Sequence, residues 1–480
     1  MTKSERKELK IQREIARLER EQAKPKGPLY FIYFILIVSV VYIADELATQ
    51  AGFQMQNVIA SDFFAPLVGE EFAVARMALI NTIAGCTVGV VFLYRTLADR
   101  FGRKLFLVLN SFGIGIGLFL ISVSTNIPVY AMGVIAIQFF IPNDMHQVYI
   151  TECAPAKHRA KTVAVISSIA TLSMIAIPVM RNFFLKGSNM SGWRKIYIIL
   201  AVLSLVGSIF ALFFVRESDP FIESRLRTLR MTDEEKKAAK ESKSKQENGA
   251  GLIAALKFCF THKQIRWLFI AGGFVSFGML VTQYYETIMT FGYARQFIDA
   301  GMELSQARVE ATAFVTQALM LFSVGAAIIN LISGFMADRF GRRINMIIMC
   351  AISLATFLLF YIGSNFNWNP YFVGLCCGIS VYAYWCAGGM IGLMCSESTP
   401  TTIRVSVNAV QPVVNGIIFM IASTSVTVLG NILGDTAIGT TCLLVSAPGM
   451  ALGLLLLMIK VKETKNVGEL GGIRGDEFEE

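Results

Sequence analysis

The chain has 480 residues and a formal charge of +9; 54% of it is hydrophobic and only 16% charged, against roughly 25% charged in an ordinary soluble protein. That composition excludes a soluble enzyme, and no nucleic-acid partner is expected, because the basic residues gather in short loops and at the ends, where membrane topology alone puts them. Nine cysteines lie mainly in apolar segments, without the pairing of a secreted framework or the spacing of a zinc site, so neither a metal nor a cofactor is expected.

Residues 1–28 form a charged N-terminal segment. Within it, 3–24 mix both charge signs at helical spacing and then meet PKGP, which reads as a short solvated cytoplasmic helix that stops before the membrane. A lipid-surface role for its basic face is the alternative. The segment has no secretory n-region, h-region and cleavage site, so it is expected to be retained.

Twelve apolar stretches follow, each near the roughly 20 residues of a spanning helix: 29–51, 73–95, 105–124, 127–150, 162–185, 193–215, 265–291, 311–335, 344–363, 369–394, 405–429 and 436–459. One set of alternate loops holds Arg100, Arg103, Lys104, Lys157, Arg159, Lys161, Arg339, Arg342, Arg343 and Arg404, whereas the loops after the first, third, ninth and eleventh stretches hold no Lys or Arg. Both termini are therefore expected in the cytoplasm of a cell-membrane protein. Arg181, Lys186, Arg194, Lys195, Arg295 and Arg308 are exceptions that this orientation places on the outer side. Trp193, Trp267 and Trp368 fall at helix ends and read as interface-belt residues, while Trp385 is mid-helix. The polar stretch 216–264 reads as a cytoplasmic linker between two six-helix bundles, 29–215 and 265–460, and 461–480 as a cytoplasmic tail.

The motif GFMADRFGRR at 334–343 has a near copy, RTLADRFGRK, at 95–104; Asp338 follows Asp99 by 239 positions, about half the chain. The pair resembles the signature loop of the major facilitator superfamily, which joins helices 2 and 3 and again helices 8 and 9. The first copy has Arg95 where the family's leading Gly is expected. YITECAPAKHR, SESTPTTIR, VRESDPFIESRL and KETKNVGEL resemble further landmarks of the sugar-porter-like branch, in the right order along most of the chain. The resemblance implies an all-α membrane protein: twelve transmembrane helices in two pseudo-symmetric six-helix bundles, each with inverted three-helix repeats. It also implies a cytoplasmic gate in which Asp99 and Arg103 meet Glu152 and Arg159, while Asp338 and Arg342 meet Glu397 and Arg404. Simple anchoring of the loops is the alternative.

Transporter sites of this kind lie near the bilayer midplane, and ionisable residues there are costly and usually functional. Helix 1 carries Tyr42, Asp45 and Glu46, and helix 7 carries Gln283, Tyr284, Tyr285 and Glu286, with Gln283, Glu286, Thr287 and Thr290 on one stripe. Asp45 comes about 24 Å into a core of about 30 Å, which allows either a proton site or a solvated mouth. Proton-coupled sugar porters have an acid in helix 1, and on that resemblance Asp45, Glu46, Glu286 and Asp144 are the proton-coupling candidates. Helix 4 groups Asn143, Asp144, His146 and Gln147 beside Pro142, either a proton relay or a satisfied helix break. Tyr42, Asn143, Gln283, Tyr284, Tyr285, Tyr382, Trp385, Asn408, Gln411 and Asn415 are the candidate solute contacts; on helix 11 interhelical bonding is the even alternative. Asn81, Gly85 and Gly89 on helix 2 read as close packing.

The sequence departs from the sugar carriers where they bind hydroxyls. The amides of their helix 7 fall at Phe274, Val275 and Leu280, the helix 4 arginine that partners the helix 1 acid falls at Met132, and the Pro and Trp of helix 10 fall at Gly389 and Gly392. The expected activity is secondary transport of a small organic solute by alternating access, by proton symport, with a monomer in the lipid bilayer as the working unit. An organic cation or drug antiporter using Asp45, Glu46 and Glu286 is the alternative, and a non-transporting solute sensor a third reading. No nucleophile and base, metal cluster or phosphate loop points to an enzyme.

Overall fold

The computed structural model describes residues 3–23, 28–87, 90, 94, 97, 101–143, 145–153, 159–185, 190–231, 257–399 and 404–464. Asp99, Arg95, Gly89 and Asp144 lie outside the described residues, as do the side chains of Asn143, Arg159, Asp338, Arg404 and Asn408. All regular structure among the described residues is helical. The principal helices are α1 (Lys3–Gln22), α2 (Pro28–Gln54), α3 (Ala73–Gly85), α4 (Arg103–Ser122), α5 (Ile127–Phe140), α6 (Met145–Cys153), α7 (Arg159–Ser173), α8 (Ala176–Phe184) and α9 (Trp193–Phe214). They continue with α10 (Asp219–Arg230), α11 (Lys263–Val275), α12 (Met279–Asp299), α13 (Leu304–Phe340), α14 (Arg342–Asn365), α15 (Pro370–Glu397), α16 (Arg404–Leu433) and α17 (Ile438–Lys460).

Among the described residues ten stretches are long and apolar enough to cross a membrane, and the two shorter apolar helices α3 and α5 begin the second and fourth stretches read from the sequence. The reason is the backbone: with no water in the hydrocarbon to satisfy N–H and C=O groups, a spanning chain satisfies them within itself. Local chemistry sets the breaks. Pro28 opens α2 and Pro370 opens α15, each where the missing N–H costs nothing. Beyond α5 the chain tightens to a 3-10 turn at Ile141–Asn143, the break that Pro142 foretells.

Two compact units gather the chain, Met1–Ala48 with Thr87–Ala170 and Tyr197–Asn248, and Thr49–Cys86 with Thr171–Ile196 and Gly249–Glu480. In the first, Phe34, Val38 and Val41 of α2 form a core with Phe106, Leu107, Met145, Tyr149 and Ile166. In the second, α13 and α15 pack closely because Gly374 and Gly378 leave no Cβ in the way: one there would collide with the backbone of Ala318 and Phe322.

Three sequence readings change. Trp193 is not a belt residue: it is fully buried, and its Nε1 donates to Asp62 Oδ2 at 2.8 Å, so the indole's polar tip is satisfied inside the protein. Gly85 is not a packing contact, since open space lies where its Cβ would be. The N-terminal helix is not solvated all round, because Leu18 is buried with Ile222 and Leu226 of α10.

Candidate functional site

Each unit has a charged turn of the same construction at the twin motif. In the first unit α4 begins just after Gly102, whose φ of +113° is a left-handed conformation that favours glycine. The four leading N–H groups of a helix lack internal partners. Here Glu217 supplies one: its Oε1 accepts from the N–H of Arg103 at 2.8 Å and of Lys104 at 3.1 Å. Burial pushes the Glu217 carboxyl above the usual range, offset in part by the N–H groups of Lys104, Ser218 and Arg103. Arg103 Nε bonds Glu152 Oε1 at 3.1 Å, and the Ser218 hydroxyl donates to Glu152 Oε2 at 2.6 Å.

The second unit repeats this around Gly341 (φ +99°), where α14 begins. Glu463 accepts from the N–H of Arg342 at 2.8 Å and of Arg343 at 3.0 Å, Arg342 Nε lies 3.3 Å from Glu397 Oε1, and the Thr464 hydroxyl donates to Glu397 Oε2 at 2.6 Å. The structure thus brings Arg103 to Glu152 and Arg342 to Glu397. It adds two carboxylates, Glu217 and Glu463, which the sequence reading placed in motifs without giving them a role. Gly341→Ala is expected to destabilise by about 1–3 kcal/mol, because the turn is left-handed and the new Cβ would stand 2.6 Å from Glu463 Oε2. Thermal unfolding in detergent measures it, with Gly334→Ala, where no atom lies within 4 Å, as the neutral control.

In the first unit Asp45 sits on α2 with Oδ2 4.0 Å from His146 Nδ1 of α6, and both side chains are largely buried. The ring of Tyr42, one turn earlier, lies over the imidazole with centroids 4.1 Å apart. His146 Nε2 is buried and has no hydrogen-bond partner among the described residues. Met132, where the family's arginine would stand, is 59% exposed. Glu46 is half-buried on the same helix.

In the second unit the ionisable residues converge far from the motif: Arg308 and Asp338 are 30 residues apart on one helix, about 45 Å. Glu286 is completely buried on α12, 3.3 Å from Nη1 of an equally buried Arg181 on α8. Its other oxygen accepts the N–H of Asn57 at 2.9 Å. Arg181 also donates through Nε to Thr316 Oγ1 at 3.1 Å and through Nη1 to the carbonyl of Gln54. Arg308, 1% exposed, donates to Asn57 Oδ1 at 2.7 Å and to Glu70 Oε2 at 3.0 Å. Asp435 takes the N–H groups of Val74 and Ala75 at 2.7 and 3.0 Å, capping the start of α3. The sequence reading counted Arg181 and Arg308 among loop cations on the outer side; they lie instead within α8 and α13, buried beside Glu286, Glu70 and Asp435, since a carboxylate partner is what makes a buried guanidinium tolerable.

The remaining candidates divide by burial. Gln283, Tyr284, Glu286, Thr287 and Thr290 are buried, so the stripe on helix 7 is an internal face. Tyr285 donates to Gln50 Oε1 at 3.0 Å and stacks on Phe322, and the Tyr382 hydroxyl lies 3.2 Å from Met174 Sδ. On α15, Trp385 is 44% exposed, and open space faces Gly388 and Gly389 on the same stripe. Gln411 of α16 flanks it, its Oε1 3.4 Å from where a Cβ on Gly392 would lie, and Asn415 Oδ1 is 3.1 Å from Ser276 Oγ. Among the described residues no cluster of His, Cys, Asp and Glu is arranged to hold a metal ion.

The profile of the Major Facilitator Superfamily matches residues 29–423. No curated protein sequence matches the chain. Among solved structures it is similar to a D-xylose–proton symporter, at 17% identity and TM-score 0.63 over 91% of this chain and 99% of that one. It is similar also to the inward-open xylose transporter XylE from E. coli, at 18% identity and TM-score 0.57 over 92% and 100%. A third likeness is to the inward-facing, unoccupied bacterial homolog of the human lysosomal transporter Spinster, at 13% identity and TM-score 0.52 over 91% and 96%. At these identities the likeness shows the fold. With its apolar spanning helices, its twin motif and a profile match over most of its length, the chain belongs to the Major Facilitator Superfamily of membrane transporters.

Proposed function

We propose that the protein is a proton-coupled secondary transporter that moves a small organic solute by alternating access. The observation that carries this reading is Asp45 facing His146 across 4.0 Å, both shielded from water, beneath the Tyr42 ring. A carboxylate beside a neutral imidazole carries one net negative charge, and uptake of a single proton by either group cancels it, so one proton changes the local field. In the sugar-porter resemblance the helix 1 acid faces a permanently charged arginine; here a titratable group, His146, stands beside it. Glu46 and Asp144 remain neighbouring candidates for the same role. The solute meets the open stripe of Trp385, Gly388 and Gly389, flanked by Tyr382, Gln411 and Asn415.

Two charged networks serve as the gates in this reading. The Arg103–Glu152 and Arg342–Glu397 pairs, joined by Asp99, Arg159, Asp338 and Arg404, close the cytoplasmic side. The Arg181–Glu286 and Arg308–Glu70 pairs close the opposite side. Glu286 is thereby assigned to closure rather than to solute attraction, because Arg181 already neutralises it. A cation antiporter would then rest on Asp45 and Glu46 alone.

Uptake by proteoliposomes, with and without an inward proton gradient, tests the proposal on labelled sugars, organic acids and organic cations. Uptake of one class that rises with the gradient and collapses with a protonophore is the expected result. Gradient-driven efflux would replace symport by antiport, and specific binding without transport of any class would overturn both.

A further inference from the structure

Helix α1 carries seven basic and five acidic residues, and its docking on α10 separates them. Leu18 packs with Ile222 and Leu226, with Ile15 and Leu229 at the edges. Around that contact three of the acids find partners: Glu14 pairs with Arg225 at 2.8 Å, Glu19 with Arg230 at 2.6 Å, and Glu21 accepts the Glu217 N–H at 3.3 Å. At about 100° per residue, Arg13, Arg17 and Arg20 fall on the side of the helix opposite Leu18. All three are exposed, and none makes an ion pair among the described residues. With Ala16 and Glu21 they line an open hollow of about 540 Å³.

We propose that this arginine face binds the phosphate headgroups of anionic lipids at the bilayer surface. Three observations point to that occupant. The chain from Ala23 to Pro28, where the first membrane helix begins, spans at most about 18 Å, so α1 is tethered beside the headgroup layer. Guanidinium forks suit phosphate oxygens, and three of them in two turns match a surface that offers many phosphates rather than one. Two of the acids that would repel such a surface, Glu14 and Glu19, are already paired with arginines of α10. Binding would also be felt beyond α1, because Glu21 holds the N–H of Glu217, and Glu217 caps the start of α4 beside the Arg103–Glu152 pair.

The test uses the full chain in vesicles of phosphatidylcholine alone or with one third phosphatidylglycerol. A spin label is placed at Ala16→Cys after the reactive native cysteines are blocked, and its collisions with a headgroup-anchored nickel chelate are compared with those of a water-soluble one. Headgroup contact is expected to rise with phosphatidylglycerol and to fall at high salt. Each of R13Q, R17Q and R20Q should cost roughly fivefold in that partition and the triple variant roughly a hundredfold, while R13K/R17K/R20K retains most of it. Equal contact in both vesicles, or a triple glutamine variant that behaves as the parent, overturns the proposal. So does equal protection of the label by inorganic phosphate in phosphatidylcholine vesicles, which would make a free anion the ligand.

Discussion

Glu286→Gln is expected to lower stability by about 3–5 kcal/mol, the usual cost of stranding one partner of a buried ion pair. Arg181 would keep its bonds to Thr316 and the Gln54 carbonyl but lose the only carboxylate within 4 Å of it among the described residues, at a site with no exposure to water. The Asn57 N–H loses a charged acceptor as well. The informative comparison is the pair Arg181→Met with Glu286→Leu. Apolar side chains of similar volume often replace a buried ion pair at little cost, so the double variant should regain most of what either single change loses. Thermal unfolding of purified protein in detergent reads all of these. Losses that simply add in the double variant would show that the two charges do not sustain one another. If the network also closes one side of the carrier, the double variant, though stable, should let solute-side reagents reach the open stripe around Trp385 more readily.

Asp45→Asn should separate two activities that are otherwise linked. Under the proposed symport, exchange of labelled for unlabelled solute needs only the loaded carrier to reorient between the two sides, whereas accumulation needs a proton to travel with the solute. An asparagine is nearly isosteric, keeps a polar contact toward His146, and cannot lose a proton. Exchange should therefore persist while accumulation against a gradient falls to the equilibrium distribution. Gradient-driven accumulation at the parental level would remove Asp45 from the coupling path and leave Glu46 and Asp144 as the remaining candidates on that side.

Much of the fold is legible in the chain because its physics is local. Twenty apolar residues in a row declare a spanning helix, Pro142 declares a break, and the repeated ADRFGR motif declares two turns of one construction. The Glu152–Arg103 and Glu397–Arg342 pairs could be named in advance because their motifs are short and recur. What could not be read depends on partners distant in sequence. Arg181 looks like one more cation near a helix end until Glu286, 105 positions later, closes on it. Arg308 acquires its meaning from Asn57 and Glu70, well over two hundred positions earlier. One local signal was available: Arg181 is the lone charge in AIPVMRNFF, an otherwise apolar run in which a solvated arginine has little business. The docked face of α1 was likewise visible as Ile15 and Leu18 at helical spacing, but its partner helix lies beyond the sixth membrane stretch.

The paired turns at Gly102 and Gly341 give the chain an alignment of its own, two sequences deep. The leading position of the motif holds glycine in one copy and arginine in the other. The left-handed glycine, the arginine after it and a capping glutamate recur in both; the glutamate stands 115 positions after the glycine in the first copy and 122 in the second. The copies thus differ within the motif's own ten residues, yet share a contact made from a hundred residues away. What repeats is a junction between segments, and the motif is the part of that junction that happens to be contiguous.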